Sequence, residues 1–324
     1  MEFNTSYLHF IQNEGDIFLV FKIRAIAIPF RNYSTLHNMI SKDHYPAKVM
    51  LFGEYTVLRG GLALGIPVMN FFSKWVRLSF DQSAKYFPFF RYLQLEFNTC
   101  LDTDRFLDDI QSGMTLTTSI PFGAGLGSSG NLVAAVYDRY ATSRNQDLDQ
   151  LRVLLATMEN FFHGTSSGFD PLIILQRRAL LKEQSTIRSL PKLNGHGVFP
   201  WLLDSGTSRA GNPIAKFNER IKVQEFALAV VEGTALVDGI ITQWIDDGVI
   251  NWDLLTALSR WQWQHLRFLI PESLHPYWQI GLDQQDFLFK FNGAGGGGMF
   301  QVWTKDDIWP GVLEVWPHQK IRTT

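Results

Sequence analysis

The chain has 324 residues, 46% hydrophobic and 19% charged, a balance that supports one large or two medium folded domains and excludes a disordered tail or a collagen-like repeat. Lysine and arginine number 29 against 31 acids, a formal charge of -2 that leaves no basic footprint for general DNA or RNA binding. The single cysteine, Cys100, closes no internal disulfide and builds no structural zinc site alone, which is the usage of a reducing cytoplasm.

Residues 1–38 show no clean period. The apolar stretch 17–30 is interrupted by Lys22 and Arg24, whereas a membrane span needs roughly 20 predominantly apolar residues. Glu2, Glu14 and Asp16 precede or open that stretch, where a secretory signal would be basic. The segment reads either as an upstream extension with little part in the fold or as an edge strand, 16–28, on the first sheet.

From Pro46 the pattern becomes legible. Residues 48–52 (KVMLF) have the length of a buried strand and stop at Gly53, and Gly60-Gly61 mark a turn. Residues 62–69, 75–80, 93–97 and 114–120 supply further strands, so the first hundred residues after Met39 read as mostly β. Residues 127–140 then read as a helix, with Leu132, Val136 and Tyr140 at four-residue spacing. A second helix spans 148–162, with Asp147 as its N-cap and Gln150 three residues on. Its buried stripe is Leu151, Leu155, Met158 and Phe162, and Glu159 lies at the edge of that stripe. A carboxylate there needs a partner or a cation if the face is buried.

In the second half, 180–181 and 201–203 are strand-like, 226–231 is an apolar run, and Asn251 can cap a helix carrying Leu254, Leu258, Trp261, Leu266 and Leu269. Residues 287–291 (FLFKF) and 299–303 read as partner strands. Helices and strands do not alternate one for one, so the fold class is α+β in two domains, 39–203 and 204–324, after the extension 1–38.

Three elements carry chemistry. Residues 121–130 (PFGAGLGSSG) place glycines at alternate positions and open directly into a helix, whose N-terminal N–H groups and dipole make a ready anion site. Ser128 and Ser129 add hydroxyls for a phosphate oxygen or a metal shell. No lysine follows the glycines, so this is not a Walker loop. The second element, 163–170 (HGTSSGFD), ends on Asp170, eleven residues after Glu159. One carboxylate would hold Mg²⁺ and the other would take or orient a nucleophile's proton. Taken alone, an aspartate after a glycine turn such as Asp170 is more often a local cap than a base, and His163 by itself reads as a structural or loop histidine. The third element, 293–298 (GAGGGG), has five glycines in six positions, more than a hairpin turn requires, which points to close packing against another loop or a ligand.

Together and in this order, these elements resemble the GHMP kinase superfamily, with PAKVMLFGEYTVLRGG similar to its first motif, PFGAGLGSSG to its phosphate loop and NGAGGGG to its third motif. Within it the mevalonate kinases offer the nearest likeness. The resemblance implies a ribosomal protein S5 domain 2-like N-terminal domain, a ferredoxin-like C-terminal domain, and an ATP- and Mg²⁺-dependent, cytoplasmic small-molecule kinase. By that resemblance Gly123, Ala124, Gly125, Leu126, Gly127, Ser128 and Ser129 wrap the ATP phosphates, Ser129 and Glu159 hold Mg²⁺, Asp170 is the catalytic base and Lys48 stands beside it. Glu54, Tyr55, Arg209, Gly293, Ala294 and Gly295 fall on the substrate side.

The expected product is 5-phosphomevalonate, and the expected partner is a small molecule, with neither nucleic acid nor membrane. Many members dimerise, which makes a homodimer one candidate assembly. Tyr55 stands where the family carries histidine, residues 130–132 (GNL) where its phosphate loop runs on with Ala-Ala-Tyr, Ser166 where it carries proline, and Pro171 follows the aspartate. Two other readings are a kinase of the same fold for phosphomevalonate or a sugar, and an inactive nucleotide-binding regulator. Retention of Lys48, Ser129, Glu159 and Asp170 argues against the second of these.

Overall fold

The computed structural model describes residues 8–13, 16–21, 44–121, 123–190, 198–208 and 211–322. Strands β1 (Leu8–Asn13) and β2 (Asp16–Phe21) pair antiparallel as a two-stranded hairpin. Among the described residues this hairpin joins neither larger sheet, so the expected edge strand 16–28 is corrected. Asp16–Phe21 finds its partner in the adjacent chain, the least costly closure available to it. Residues 22–38 lie outside the described residues.

The first sheet contains β3 (His44–Phe52), β4 (Ala63–Arg77), β5 (Met114–Thr118), β6 (Leu180–Glu183) and β7 (Thr186–Ser189), all antiparallel. The two strands expected at 62–69 and 75–80 are one, β4. Its length lets β3 run along one side while β6 and β5 pair with its start and its end on the other.

The expected strand at 93–97 is instead the end of helix α1 (Ser83–Glu96), and α2 (Thr103–Gln111) follows. The window LQLEF alternates like a strand, but Tyr86, Phe89, Phe90 and Leu93 bury at helical spacing while Leu95 is 71% exposed. The first hundred residues after Met39 are therefore not mostly β. Helices α3 (Ser128–Tyr140), α4 (Leu148–His163) and α5 (Phe169–Gln176) complete this half. Asp147 caps α4 as expected, accepting from the amides of Asp149 and Gln150 at 2.9 and 3.0 Å. Leu151, Leu155 and Met158 then face the apolar cluster of Phe89, Leu93, Val133 and Tyr140.

The second sheet has strands β8 (Phe199–Asp204), β9 (Phe287–Phe291), β10 (Met299–Thr304) and β11 (His318–Lys320) in the order β11-β8-β10-β9, antiparallel throughout. That is the strand order of a ferredoxin-like sheet. Helices α6 (Pro213–Arg220), α7 (Gln224–Asp247), α8 (Trp252–His265) and α9 (His275–Gln284) lie between β8 and β9. The second crossover is only the short 3-10 turn Gly311–Leu313. All five residues of β9 are buried, with Phe289 stacked on Trp278 at 5.4 Å. Burying a phenylalanine of this kind contributes roughly 1.5–3 kcal/mol.

The two sheets share one core. Phe52 of β3 meets Trp303 of β10 at 5.5 Å, and Gln301 donates from Nε2 to the Met50 carbonyl at 2.7 Å. Because β8 belongs wholly to the second sheet, we propose a domain division ahead of Phe199. A cut at 203/204 would separate Asp204 from the strand it completes.

Candidate functional site

The site assembles where β3, the start of α3, the end of α4 and the start of α5 converge. Lys48 stands in the middle of β3, and only 5% of its side chain is exposed. Its Nζ lies 2.8 Å from Asp170 Oδ2. A buried ammonium needs such a counter-charge, and Asp170, the second residue of α5, supplies it from a helix N-terminus, where an anion is favoured. The cap of α5 is Gly168, so Asp170 is not the local cap that its spacing also allowed. Helices α3 and α5 approach closely here. A Cβ placed on Gly130 would lie 3.1 Å from the Cβ of Asp170 and 2.9 Å from the Pro171 nitrogen, so only glycine fits.

The glycine-rich loop leads into α3 with Gly123, Gly125 and Gly127 all at positive φ (71°, 78° and 79°). Alternate left-handed residues turn successive N–H groups toward one side, an anion-binding concavity continued by the amides of the first helical turn. Leu126 is fully buried and anchors the loop, and its carbonyl accepts from the Lys48 amide at 3.1 Å.

Glu159 and His163 are four residues apart on α4 and therefore share a face. Both reach Ser129. The Ser129 hydroxyl donates to Glu159 Oε1 at 2.8 Å and lies 2.9 Å from His163 Nε2. Ser166 donates to the other carboxylate oxygen, Oε2, at 2.5 Å. Burial raises the Glu159 carboxyl to about 7, and repulsion from Asp170 adds to the rise, while the two hydroxyls and Lys48 act in the opposite direction. Among the described residues no group of three or more His, Cys, Asp or Glu could hold a metal ion. Glu159 and Ser129 are hard oxygen donors that suit a Mg²⁺ ion completing its shell with phosphate oxygens.

A stability test follows from the raised carboxyl. A carboxyl whose folded pKa exceeds its unfolded value stabilises the fold fully below the unfolded value, here about 4.5, and that contribution is lost as pH rises through about 7. In metal-free buffer the parent protein therefore loses stability relative to Glu159→Gln between about pH 4.5 and 7. Urea midpoints at pH 5 and pH 8 check this, and a difference between the two proteins that does not change with pH contradicts it.

The third glycine run is not a loose hairpin tip. Met299 N donates to the Ala124 carbonyl at 3.3 Å, and Gly298 N to the Thr207 carbonyl at 2.8 Å. A Cβ on Gly298 (φ 74°) would lie 2.7 Å from the Gly123 carbonyl oxygen, so this loop packs backbone to backbone on the phosphate-loop candidate. Close packing against another loop is what its glycine content implied.

Of the residues expected on the substrate side, those the structure describes lie together, and Lys48 acts electrostatically on Glu54. Glu54 is buried, with both carboxylate oxygens 2.6 Å from Lys290 Nζ, and Lys290 is buried too. Tyr55, at φ 66°, is buried, packs on Phe217 at 4.6 Å and donates its hydroxyl to the Ala294 carbonyl at 2.5 Å. Both residues therefore tie the first motif to β9 and the third glycine run and do not present open polar groups. Gly293, Ala294 and Gly295 lie beside them, and Arg209 lies outside the described residues. Lys290, the Ser166–Glu159 contact and the His163–Ser129 contact were not read from the sequence, where Ser166 stood out only as a replacement for the family's proline. A lysine inside FLFKF was the available signal for the first, because a charge in a buried strand requires a partner.

Residues 92–177 match the family model of the GHMP kinases N terminal domain. The chain carries a GHMP kinase N-terminal domain. The matched span includes Ser129, Glu159 and Asp170, while Lys48 and the third glycine run lie outside it. Among solved structures, the Methanococcus jannaschii mevalonate kinase is similar at TM-score 0.62 and 17% identity, covering 87% of this chain and 97% of that one. The Streptococcus pneumoniae phosphomevalonate kinase is similar at TM-score 0.56 and 15% identity, covering 86% and 98%. The Lactococcus lactis galactokinase complexed with galactose is similar at 0.56 and 14%, covering 86% and 92%. A comparison with curated proteins gives no significant match. The structural likeness is one of fold, and it extends beyond the GHMP kinase domain to nearly the whole chain. No helix among the described residues is long and apolar enough to cross a membrane.

Proposed function

We propose that this chain is an ATP-dependent kinase that phosphorylates the primary hydroxyl of mevalonate, giving 5-phosphomevalonate and ADP. The observation that carries the reading is the meeting of two pairs at the start of α3, Lys48 with Asp170 and Ser129 with Glu159, each at 2.8 Å.

In this reading residues 123–129 receive the ATP phosphates on backbone amides and the α3 dipole. Ser129 and Glu159 hold Mg²⁺, which, when bound, neutralises charge on the phosphates. The acceptor oxygen attacks the γ-phosphorus, its proton passes to the Asp170 carboxylate, the bond to the bridging oxygen breaks, and ADP leaves. Lys48, held beside Asp170, stabilises the charge that develops on the acceptor oxygen. The transferred group passes through a loose transition state, so positioning and charge neutralisation supply most of the catalysis.

A second reading is a kinase of the same fold with phosphomevalonate or a sugar as acceptor, supported by the engagement of Glu54 with Lys290 and of the Tyr55 hydroxyl with the Ala294 carbonyl. A coupled ADP-release assay with Mg·ATP separates the two, comparing mevalonate, 5-phosphomevalonate, galactose and homoserine. Turnover on mevalonate alone supports the first reading. Turnover on another acceptor keeps the phosphate machinery and replaces the acceptor.

A further inference from the structure

Ser166 occupies an unusual position among the residues around Glu159. Its hydroxyl oxygen accepts the Gly168 amide proton at 3.0 Å, so its own single proton is committed to Glu159 Oε2 at 2.5 Å. Gly168 is the N-cap of α5, the helix that carries Asp170. One continuous chain of hydrogen bonds therefore runs from the start of α5 through Ser166 to the Glu159 carboxylate. Ser129 holds the other oxygen, Oε1, at 2.8 Å from the start of α3. A glutamate has three side-chain torsions, and here both ends of its carboxylate are fixed by hydroxyls from two different elements.

From this geometry we infer that Ser166 is a positioning residue. It pins Glu159 Oε2 so that the Oε1 edge, shared with Ser129, is presented to a divalent cation that arrives with the nucleotide phosphates. The inference rests on the proposed metal role of Glu159 and Ser129 and adds a residue that touches neither the cation nor the substrate. Outer partners of this kind commonly govern metal affinity, because they hold the ligand in its binding orientation before the ion arrives.

The test is the affinity of the full chain for Mn²⁺ in the presence of a non-hydrolysable ATP analogue, read from the electron paramagnetic resonance of free Mn²⁺. Ser166→Ala weakens Mn²⁺ binding by about 10-fold, while affinity for the analogue without metal stays at the parent value. Ser166→Thr keeps the hydroxyl and restores Mn²⁺ binding. Ser166→Cys, close in size but a weak donor, behaves like alanine and carries the test if the alanine variant does not fold. Glu159→Gln separates this inference from the reading beneath it. If Glu159→Gln loses Mn²⁺ while Ser166→Ala and Ser166→Cys bind as the parent does, the role of Ser166 is overturned and the metal reading stands. If Glu159→Gln binds Mn²⁺ as the parent does, or the parent itself binds none, the metal reading falls and takes this inference with it.

Discussion

Asp170→Asn lowers turnover by about 10²–10⁴-fold, the range expected when a positioned general base is removed. The amide is nearly the size of the carboxylate but takes no proton from the acceptor. It also leaves Lys48, whose ammonium sits 2.8 Å from Asp170 Oδ2 and is almost wholly buried, without its counter-charge. The uncompensated ammonium lowers stability as well, so turnover is compared at a temperature where both proteins are folded. Asp170 itself is 30% exposed, and its helix starts from Gly168 without using the carboxylate as a cap. Steady-state ADP release together with a thermal melt checks the prediction. A variant that melts like the parent and keeps turnover within threefold contradicts the assignment of the base.

The largest effect on stability falls elsewhere. Lys290→Met destabilises the protein by about 3–5 kcal/mol, because it leaves the Glu54 carboxylate buried without compensation. Burial raises the Glu54 carboxyl and lowers the Lys290 ammonium, and each is held back by the other across 2.6 Å. The ammonium also donates to the Phe291 carbonyl at 2.8 Å, so Met at this position forfeits a backbone contact as well. Replacing both partners, as in Glu54→Leu with Lys290→Met, recovers most of the loss, since a buried pair and an apolar pair of similar volume are close in stability. Urea unfolding of the parent, the single and the double variant measures this. A single variant as stable as the parent shows that the pair is not what joins the first motif to β9.

The candidate site was more legible in the sequence than the fold around it. Glycines at alternate positions followed by serines, a capped helix with one carboxylate on its buried edge and an aspartate past a glycine turn are local signals, and their spacing survives folding. Glu159 is the clearest case. Its place beside the Leu155–Met158 stripe implied burial and hence a partner, and the structure supplies Ser129 and Ser166.

What failed depended on longer windows or on distant contacts. Five residues of LQLEF alternate like a strand, and only the fourteen-residue span of α1 shows the helical face of Tyr86, Phe89, Phe90 and Leu93. The run at 226–231, left without an assigned element because a short, wholly apolar run does not distinguish strand from helix, belongs to the 24-residue helix α7. The ion pair of Glu54 was not legible because its partner is 236 residues away. Lys290 was plain in the sequence as an oddity of FLFKF, but no local pattern pairs it with Glu54.

The most direct test of phosphoryl transfer to mevalonate follows both products by ³¹P NMR in a mixture of the parent protein, Mg·ATP and mevalonate. The account predicts a new phosphomonoester resonance growing in equal amount with ADP, with neither forming when Asp170 is replaced by Asn. Formation of ADP with inorganic phosphate and no phosphomonoester, or no consumption of ATP at all, would contradict it.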